Sequence, residues 1–149
     1  MNIDEIIKYC LDNFQYLNLI ESFKEKSLFY NPNNKLKRGI YILTIKDKNG
    51  PNDKVSNLDR ENIFRVNIGI RKETFKKLFN EIPKRPSKGG IVNMPYDFTL
   101  LNTILPHPIY AWMYWICILN PSNEMFERLK PLINESYEYA QEKFSKKKL

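Results

Sequence analysis

Two apolar segments constrain the fold of this chain more than any other feature of its sequence. In residues 64–70, apolar side chains at every second position alternate with Arg65, Asn67 and Gly69, a pattern typical of a strand with one buried face. Residues 107–121 form a longer segment that is rich in aromatic and β-branched side chains. Each segment predicts a strand that leads directly into a helix, so the chain is expected to combine a sheet with helices.

Apolar residues at helical spacing predict three helices. The first begins after a capping residue, Asn2, and ends near Phe14. The second covers residues 71–79. The third is a long helix that is capped by Asn120 and predicted to kink at Pro131, because a proline removes one backbone hydrogen bond from the helix.

The strand patterns complete the predicted architecture. Five stretches have the composition of strands: residues 16–22, 27–30, 39–46, 64–70 and 111–119. The first two suit a hairpin with a polar connection at residues 23–26, and residues 98–105 suit a short helical turn. Short connections predict a mainly antiparallel sheet with helices on one face. We therefore predict an α+β fold in a single domain over residues 1–149, with about five strands, an N-terminal helix, a middle helix and a long kinked C-terminal helix.

The composition indicates a chain that can bury a core. Of its 149 residues, 42% are hydrophobic and 13% are aromatic, more than a disordered chain contains. No apolar run reaches the length of a transmembrane helix, and the acidic start of the sequence is unlike a signal peptide. We therefore expect a cytoplasmic protein that does not enter a membrane. Cys10 and Cys117 fall inside apolar patterns and are expected to be buried free thiols.

Several chemistries lack their sequence signatures. One histidine and two distant cysteines do not supply the four ligands of a zinc site. The sequence also lacks the glycine-rich phosphate-binding loops, the nucleophile elbow and the spacing of a calcium loop. We therefore expect no metal and no cofactor, and the pattern assigns no catalytic residue.

His107 is the most informative candidate for binding. It is the only histidine in the chain and lies between two prolines that keep its backbone extended, with Tyr110 close by. Arg65 and Asn67 occupy the polar face of the first apolar segment. We expect these four side chains to converge on a small anionic or polar ligand, with the loop of residues 80–97 as a candidate lid. The leading interpretation is a small cytoplasmic binding module with a polar pocket or groove.

A second interpretation of the same residues is structural. If the polar face of the strand is covered, the buried guanidinium of Arg65 needs a carboxylate, and the candidates are Asp59, Glu61 and Asp97. His107 would then be a structural residue at the entrance to a strand. Both interpretations stay open at the level of the sequence.

Three alternative functions are also compatible with the sequence. The basic residues behind the net charge of +7 are spread along the chain, which favours an ordinary solvated surface. The alternative is nucleic-acid binding, in which basic side chains gathered on one face contact phosphates and exposed aromatic side chains stack on bases. The basic candidates are Lys72, Lys76, Lys77, Lys84, Arg85 and Lys88. A small enzyme would use His107 as general base and Arg65 as anion holder. A structural or partner-binding subunit would leave a large apolar patch exposed.

The sequence resembles an uncharacterised bacterial family of small single-domain proteins, a domain-of-unknown-function group. The similarity covers residues 57–60, 64–69, 96–98, 107–110 and 115–121, and its most specific part is the string H-P-x-Y…W-x-C-x-L-N-P. This resemblance implies no activity. The last strand and the helix containing Ser136 and Tyr137 also resemble the MmcQ/YjbR-like proteins, which implies a compact α+β fold; DNA binding has been suggested for some of those proteins.

Overall fold

The computed structural model describes residues 1–22 and 25–147 and has an α+β fold, as predicted. Three helices accompany one antiparallel sheet of six strands, one more than expected. In chain order the elements are α1 (Ile3–Asn13), β1 (Leu17–Ser22), β2 (Glu25–Tyr30), β3 (Ile40–Lys46), β4 (Arg65–Gly69), α2 (Lys72–Phe79), β5 (Leu105–Pro106), β6 (Trp115–Leu119) and α3 (Asn123–Ser145). The strands lie in the order β1-β2-β3-β4-β6-β5. Among the described residues, no helix combines the length and the apolar character needed to cross a membrane.

The N-terminal part of the chain follows its local sequence signals. Asn2 and Glu5 form the predicted capping box of α1, because each side chain accepts a hydrogen bond from the backbone N–H of the other residue. The predicted hairpin is present as β1 and β2, which pair antiparallel. The predicted connection at residues 23–26 is shorter, since β2 already begins at Glu25, and residues 23 and 24 lie outside the described residues.

One face of the sheet is covered by α3 and carries the main hydrophobic core. The buried side chains of this helix include Phe126, Leu129 and Ile133. The buried polar residue Ser136 donates a hydrogen bond of 2.8 Å to the backbone carbonyl of Ile42. Ile42 lies at a β-bulge, where the pairing of β2 with β3 shifts by one residue. Because a bulged residue is left out of the strand ladder, the helix supplies the partner that the neighbouring strand does not.

Asn120 does not cap α3, and that prediction is wrong. The cap is Ser122, whose hydroxyl accepts a hydrogen bond from a backbone N–H in the first turn. Asn120 instead adopts a left-handed backbone with φ of 45°, which asparagine tolerates better than most residues. Its side chain accepts a hydrogen bond of 2.9 Å from the N–H of Phe64 and so connects the end of β6 to the start of β4. The helix continues past Pro131, where the kink stays a prediction.

The last predicted strand begins later than expected. Residues Ala111–Met113 form a 3-10 turn, and Tyr114 has a left-handed backbone with φ of 68°, so only the second half of the predicted strand belongs to β6. A backbone hydrogen bond from Ile70 to the carbonyl of Tyr114, 3.0 Å long, holds this turn. Residues 98–105, all of them described, form no helix. Phe98 and Thr99 lie in a single turn, closed by a hydrogen bond of 3.4 Å from the N–H of Leu100 to the carbonyl of Asp97, and the end of this stretch belongs to β5, which pairs with β6.

Both cysteines are buried free thiols, as predicted. Burial raises the pKa of Cys10 to about 12 and that of Cys117 to about 12, because a thiolate loses its hydration inside the protein. At neutral pH both thiols are therefore protonated, and neither has the thiolate character that a reactive cysteine needs.

Candidate ligand-binding cleft

A cleft of about 740 Å³ opens on the face of the sheet opposite α3. Its floor consists of side chains from β3, β4 and β6, and its walls come from residues 50–53, 85–90 and 107–113. The alternation of β4 explains this division, because Val66 belongs to the core whereas its neighbour Asn67 lines the cleft. A cleft of this volume falls in the range that holds small-molecule ligands.

Arg65 lies behind the floor of the cleft and is completely buried. Its Nη1 and Nη2 atoms donate to the two carboxylate oxygens of Asp53, at 2.9 and 2.5 Å. Nη1 also donates to the hydroxyl of Ser56 at 3.1 Å, and Nε donates to Oδ1 of Asn67 at 2.8 Å. The paired arrangement with Asp53 supplies the carboxylate that a buried guanidinium requires.

The three carboxylates predicted to neutralise Arg65 are therefore wrong. The partner is Asp53, in the loop after β3, which a tight turn with two backbone hydrogen bonds folds back toward the sheet. Asp59 and Asp97 accept hydrogen bonds from their own loops instead, and Glu61 is exposed. The three predicted carboxylates lie later in the chain than Asp53. The turn between Gly50 and Asp53 instead brings Asp53 to the buried guanidinium of Arg65.

Asp53 and Arg65 are both charged. Burial alone would raise the pKa of Asp53, but the hydrogen bonds and charge of Arg65 hold that pKa well below its usual range, with help from Lys46. Burial likewise disfavours the charged guanidinium, but the pairing with Asp53 outweighs this effect and raises the pKa of Arg65. The Nζ atom of Lys46 lies 3.2 Å from the Asp53 carboxylate and lines the cleft. These three residues together carry one net positive charge.

The side chain of Asn67 connects Arg65 to Thr44 through two hydrogen bonds. Its Oδ1 accepts from Nε of Arg65, and its Nδ2 donates to Oγ1 of Thr44 at 3.0 Å. Arg65 is a donor only, so its bond fixes which end of the amide accepts and which end donates. Thr44 is thereby made an acceptor toward Asn67, which leaves its own hydroxyl hydrogen to donate. Thr44 lines the cleft.

His107 lines the cleft as a neutral hydrogen-bond donor. Its Nδ1 atom accepts from the backbone N–H groups of Ile109 and Tyr110, both at 3.1 Å, which assigns the ring proton to Nε2. Burial and then the charge of Arg65 hold the pKa of His107 well below its usual value, so the imidazole is neutral. Nε2 lies 3.5 Å from Nη2 of Arg65. Both atoms carry hydrogens, so neither can accept a hydrogen bond from the other.

Aromatic side chains of the floor and of the walls line much of the cleft: Tyr41, Tyr110, Trp112 and Trp115. The indole of Trp115 lies against Gly69, where an added Cβ atom would be only 3.0 Å from Cε2 of the ring. The indole of Trp112 packs under the guanidinium of Arg85, 4.8 Å from the ring centroid. Both indoles are therefore held in place by a neighbour.

The structure brings the four predicted binding residues together. Asn67, His107 and Tyr110 line the cleft, and Arg65 lies behind them in contact with Asn67 and His107. Residues 85–90 of the predicted loop form one wall; a movement of this loop as a lid stays a prediction.

The six basic residues predicted to contact nucleic acid lie on two elements. Lys72, Lys76 and Lys77 belong to α2, and Lys84, Arg85 and Lys88 belong to the loop after it. All six are exposed, and the last two also line the cleft. Their contact with one nucleic-acid strand stays a prediction.

Three polar residues of the site were not predicted from the sequence. Thr44 and Lys46 alternate with apolar residues along β3, so the period of the strand places both on the cleft face; that signal was present in the sequence. Asp53 had no local signal beyond its position in a polar loop. The need of a buried arginine for a carboxylate was the only indication of its role.

The cleft offers few ligands to a metal ion. Within residues 1–22 and 25–147, no three His, Cys, Asp or Glu side chains are grouped so as to hold one. The oxygens of Asp53 are occupied by Arg65 and Lys46. Burial raises the pKa of Glu25 at the edge of the cleft.

The chain has relatives at the level of a family. No curated protein and no solved structure matches it. The resemblance to MmcQ/YjbR-like proteins stays a prediction. A model described as a family of unknown function, DUF6194, matches residues 1–149. This match confirms the predicted membership of an uncharacterised family, and the chain belongs to the DUF6194 family.

Proposed function

We propose that this protein is a small cytoplasmic binding module whose cleft holds a small molecule through oxygen acceptors of that molecule. The single observation that carries the proposal is the contact between His107 and Arg65. Two hydrogen-bond donors, Nε2 and Nη2, lie 3.5 Å apart at residues that are at least 97% buried. One hydrogen of Nη2 is donated to Asp53, so an acceptor placed between the two atoms would take the second hydrogen of Nη2 and supply Nε2 with the partner it lacks. A buried donor without an acceptor costs free energy.

The remaining hydrogen bonds of the floor support the same ligand chemistry. The acceptors there are already used, since Asp53 and Asn67 each accept from Arg65. The groups left to face the cleft are donors, namely the hydroxyl of Thr44, Nε2 of His107 and the ammonium group of Lys46. A ligand that fits this floor presents carbonyl, carboxylate or phosphate oxygens to it.

The charge around the cleft favours an anion over a neutral acceptor. Lys46 lies at the floor, and Arg85 and Lys88 lie on the wall. The carboxylate of Asp53 is balanced by Arg65, and these three cations outnumber the other carboxyl group of the lining, Glu25. The field inside a partly closed cleft of this kind attracts negative charge.

The arrangement of His107 gives it the role of a donor. A general base needs a ring nitrogen with a free lone pair that faces the substrate. Nδ1 is occupied by two backbone N–H groups, and Nε2, which lies beside Arg65, carries the proton. For this reason we propose a binding module before an enzyme in which His107 removes a proton.

The experiment that tests the proposal uses the two tryptophans of the chain, since both line the cleft. Each indole N–H gives its own signal in a ¹H–¹⁵N correlation spectrum. We expect benzoate to shift both indole signals in a saturable way, and benzylammonium, which has the same ring and a donor in place of the acceptor, to leave them in place. The proposal is wrong if the two compounds bind equally, or if neither changes the indole signals at millimolar concentration.

Two matched variants assign the binding to the floor. Thr44→Val keeps the shape of the side chain and removes the hydroxyl donor, whereas Thr44→Ser keeps that donor. We expect the valine variant to bind benzoate about tenfold more weakly, the effect of one charge-assisted hydrogen bond, and the serine variant to bind within a factor of about two. Equal affinity in both variants would contradict the donor role of Thr44.

A second candidate function is the binding of single-stranded nucleic acid. It is favoured by the position of Arg85 and Lys88 beside the exposed side chain of Tyr110 at the same cleft, since exposed aromatic and basic residues together suit bases and phosphates. The measurement is the affinity for a short oligonucleotide as a function of salt, which should fall steeply if phosphates are contacted.

A further inference from the structure

We infer that the ligand of the cleft is a small aromatic acid, a flat ring system bearing one anionic oxygen group, and that this group enters the cleft first. This inference rests on the proposed function and makes it more specific. It depends on where the donors and the aromatic side chains lie along the cleft. The anionic group is a carboxylate or a phosphate monoester, and the experiment below distinguishes the two.

The donors and the aromatic rings of the cleft differ in depth. The donors are nearly inaccessible to solvent, since His107 is 3% exposed and Thr44 is 6% exposed. The rings at the mouth are open, since Tyr110 is 48% exposed and Tyr41 is 43% exposed. A ligand that satisfies both regions places its oxygen group at the inner end and its apolar part between the rings.

The shape and rigidity of the aromatic walls favour a flat ligand. Gly69 allows the indole of Trp115 to lie directly against the backbone of β4, and Arg85 covers one face of Trp112. The ring of Tyr110 packs against that of His107, with centroids 5.1 Å apart. Because these rings are already held by neighbours, a ligand that stacks on them orders few additional side chains. Flat aromatic rings gain more from such faces than saturated rings do.

The size of the cleft sets the size of the ring system. A single benzene ring leaves most of about 740 Å³ unfilled, whereas drug-sized ligands fill clefts of this class. A two-ring acid is therefore the better probe. Its second ring would reach the side chains at the mouth, and the exposed charges of Arg85 and Lys88 beside it would attract the acid during entry.

The test compares 2-naphthoate with decahydro-2-naphthoate, which has the same carboxylate and carbon skeleton without the aromatic faces. We expect isothermal titration calorimetry to give a dissociation constant about tenfold lower for the aromatic acid. Equal affinity for the two acids would overturn the aromatic inference and leave the proposed function standing. Binding of neither acid, with the indole signals unchanged by benzoate, would overturn both.

The chemical identity of the anionic group, carboxylate or phosphate, is tested by titrating 2-naphthyl phosphate in the same calorimeter. Tighter binding of the phosphate assigns the inner end to a phosphate monoester, and tighter binding of the carboxylate assigns it to a carboxylic acid. Weaker binding of both than of neutral 2-naphthamide would contradict an anionic ligand and overturn the inference.

Variants locate the aromatic contact. Trp112→Leu keeps an apolar side chain and removes the ring, and we expect it to weaken 2-naphthoate about tenfold while decahydro-2-naphthoate changes less than about twofold. Tyr16→Leu is the matched control, because Tyr16 is an exposed aromatic residue on the connection between α1 and β1, outside the cleft lining. An equal loss for both acids in the Trp112 variant would show a general packing defect and contradict the inference.

Discussion

The buried state of His107 leads to a prediction about stability and pH. In the folded protein the pKa of this residue is held well below its usual value by burial and then by the charge of Arg65. In the unfolded chain it returns to about 6.5. Unfolding therefore takes up a proton below pH 6.5, and acidification shifts the equilibrium toward the unfolded chain. The stability that His107 supports is present above its unfolded pKa and falls as the pH falls below it.

The expected magnitude follows from this one group. If the folded imidazole stays neutral, only the unfolded chain gains from protonation of His107. Lowering the pH from 7.5 to 5.5 raises the factor by which this protonation favours the unfolded chain, one plus the ratio of the proton concentration to Ka, about tenfold. This corresponds to a loss of about 1.4 kcal/mol in the free energy of unfolding. Asp53 contributes little in this range, because its pKa is held low in the folded protein and is about 3.9 in the unfolded chain, so the carboxylate is charged in both states. Glu25 acts in the opposite direction, because burial raises its pKa and protonation relieves the cost of its charge.

The assay is urea unfolding at pH 7.5, 6.5 and 5.5, with the variant His107→Asn as control. Asparagine has an oxygen that can accept from the N–H groups of Ile109 and Tyr110 and does not titrate, and the variant keeps Glu25. The difference between the two proteins therefore isolates the histidine. We expect the natural chain to lose about 1.4 kcal/mol more than the variant. Equal losses would refute the reasoning, because they would show that His107 takes up its proton without leaving its buried site.

Three further predictions concern the elements that hold the cleft. Arg65→Met leaves the carboxylate of Asp53 without its main partner, and urea unfolding should show a free energy of unfolding lower by about 3–5 kcal/mol. The double variant Arg65→Met, Asp53→Leu should regain part of that lost stability. Gly69→Ala pushes a methyl group into the indole of Trp115 and should cost about 1–3 kcal/mol while shifting the fluorescence of that ring. Ser136→Ala removes the donor to the bulged carbonyl and should lower stability by about 1–3 kcal/mol; an unchanged unfolding midpoint would show that water or a shifted backbone replaces it.

Elements defined by local signals could be predicted from the sequence. The capping box of Asn2 and Glu5 fixes the start of α1, and the alternation of Phe64 to Ile70 fixes the two faces of β4. The long apolar stripe predicts α3 for the same reason. In each case the information lies within one or two turns of helix, or within one strand, so no distant contact is needed to read it.

Elements decided by distant contacts could not be predicted. The sequence around Tyr114 is rich in residues that favour strands, yet its backbone turns. Its carbonyl accepts a hydrogen bond from Ile70, and the N–H groups of Ile109 and Tyr110, a few residues earlier, donate to the ring of His107. Asn120 has the local pattern of a helix cap, but its side chain binds the backbone of Phe64, 56 positions earlier. β5 has only two residues, one of them a proline, too few for any period to show.

The candidate site likewise has features that local sequence patterns predict and features that depend on distant contacts. Convergence of Arg65, Asn67, His107 and Tyr110 was predictable, because strand period and a constrained histidine indicate which side chains face a polar surface. The role of Asp53 was not, because it depends on how a loop of polar residues turns. The direction of the hydrogen bonds, which makes the floor a set of donors, follows only from the distances between side chains.

The floor of the cleft is assembled from strands that lie far apart in the chain. Thr44, Asn67 and Cys117 stand side by side in one row across β3, β4 and β6, so the central pairing of β4 with β6 closes a loop of about fifty residues, which is a slow and late kind of contact to form. A fragment that ends before β6 carries most of the basic residues and the donors of the floor, but it lacks the strand that pairs with β4. Ligand binding is therefore linked to unfolding of the whole sheet, and a bound ligand should slow amide hydrogen exchange in the centre of β4 as well as in the loops around the cleft.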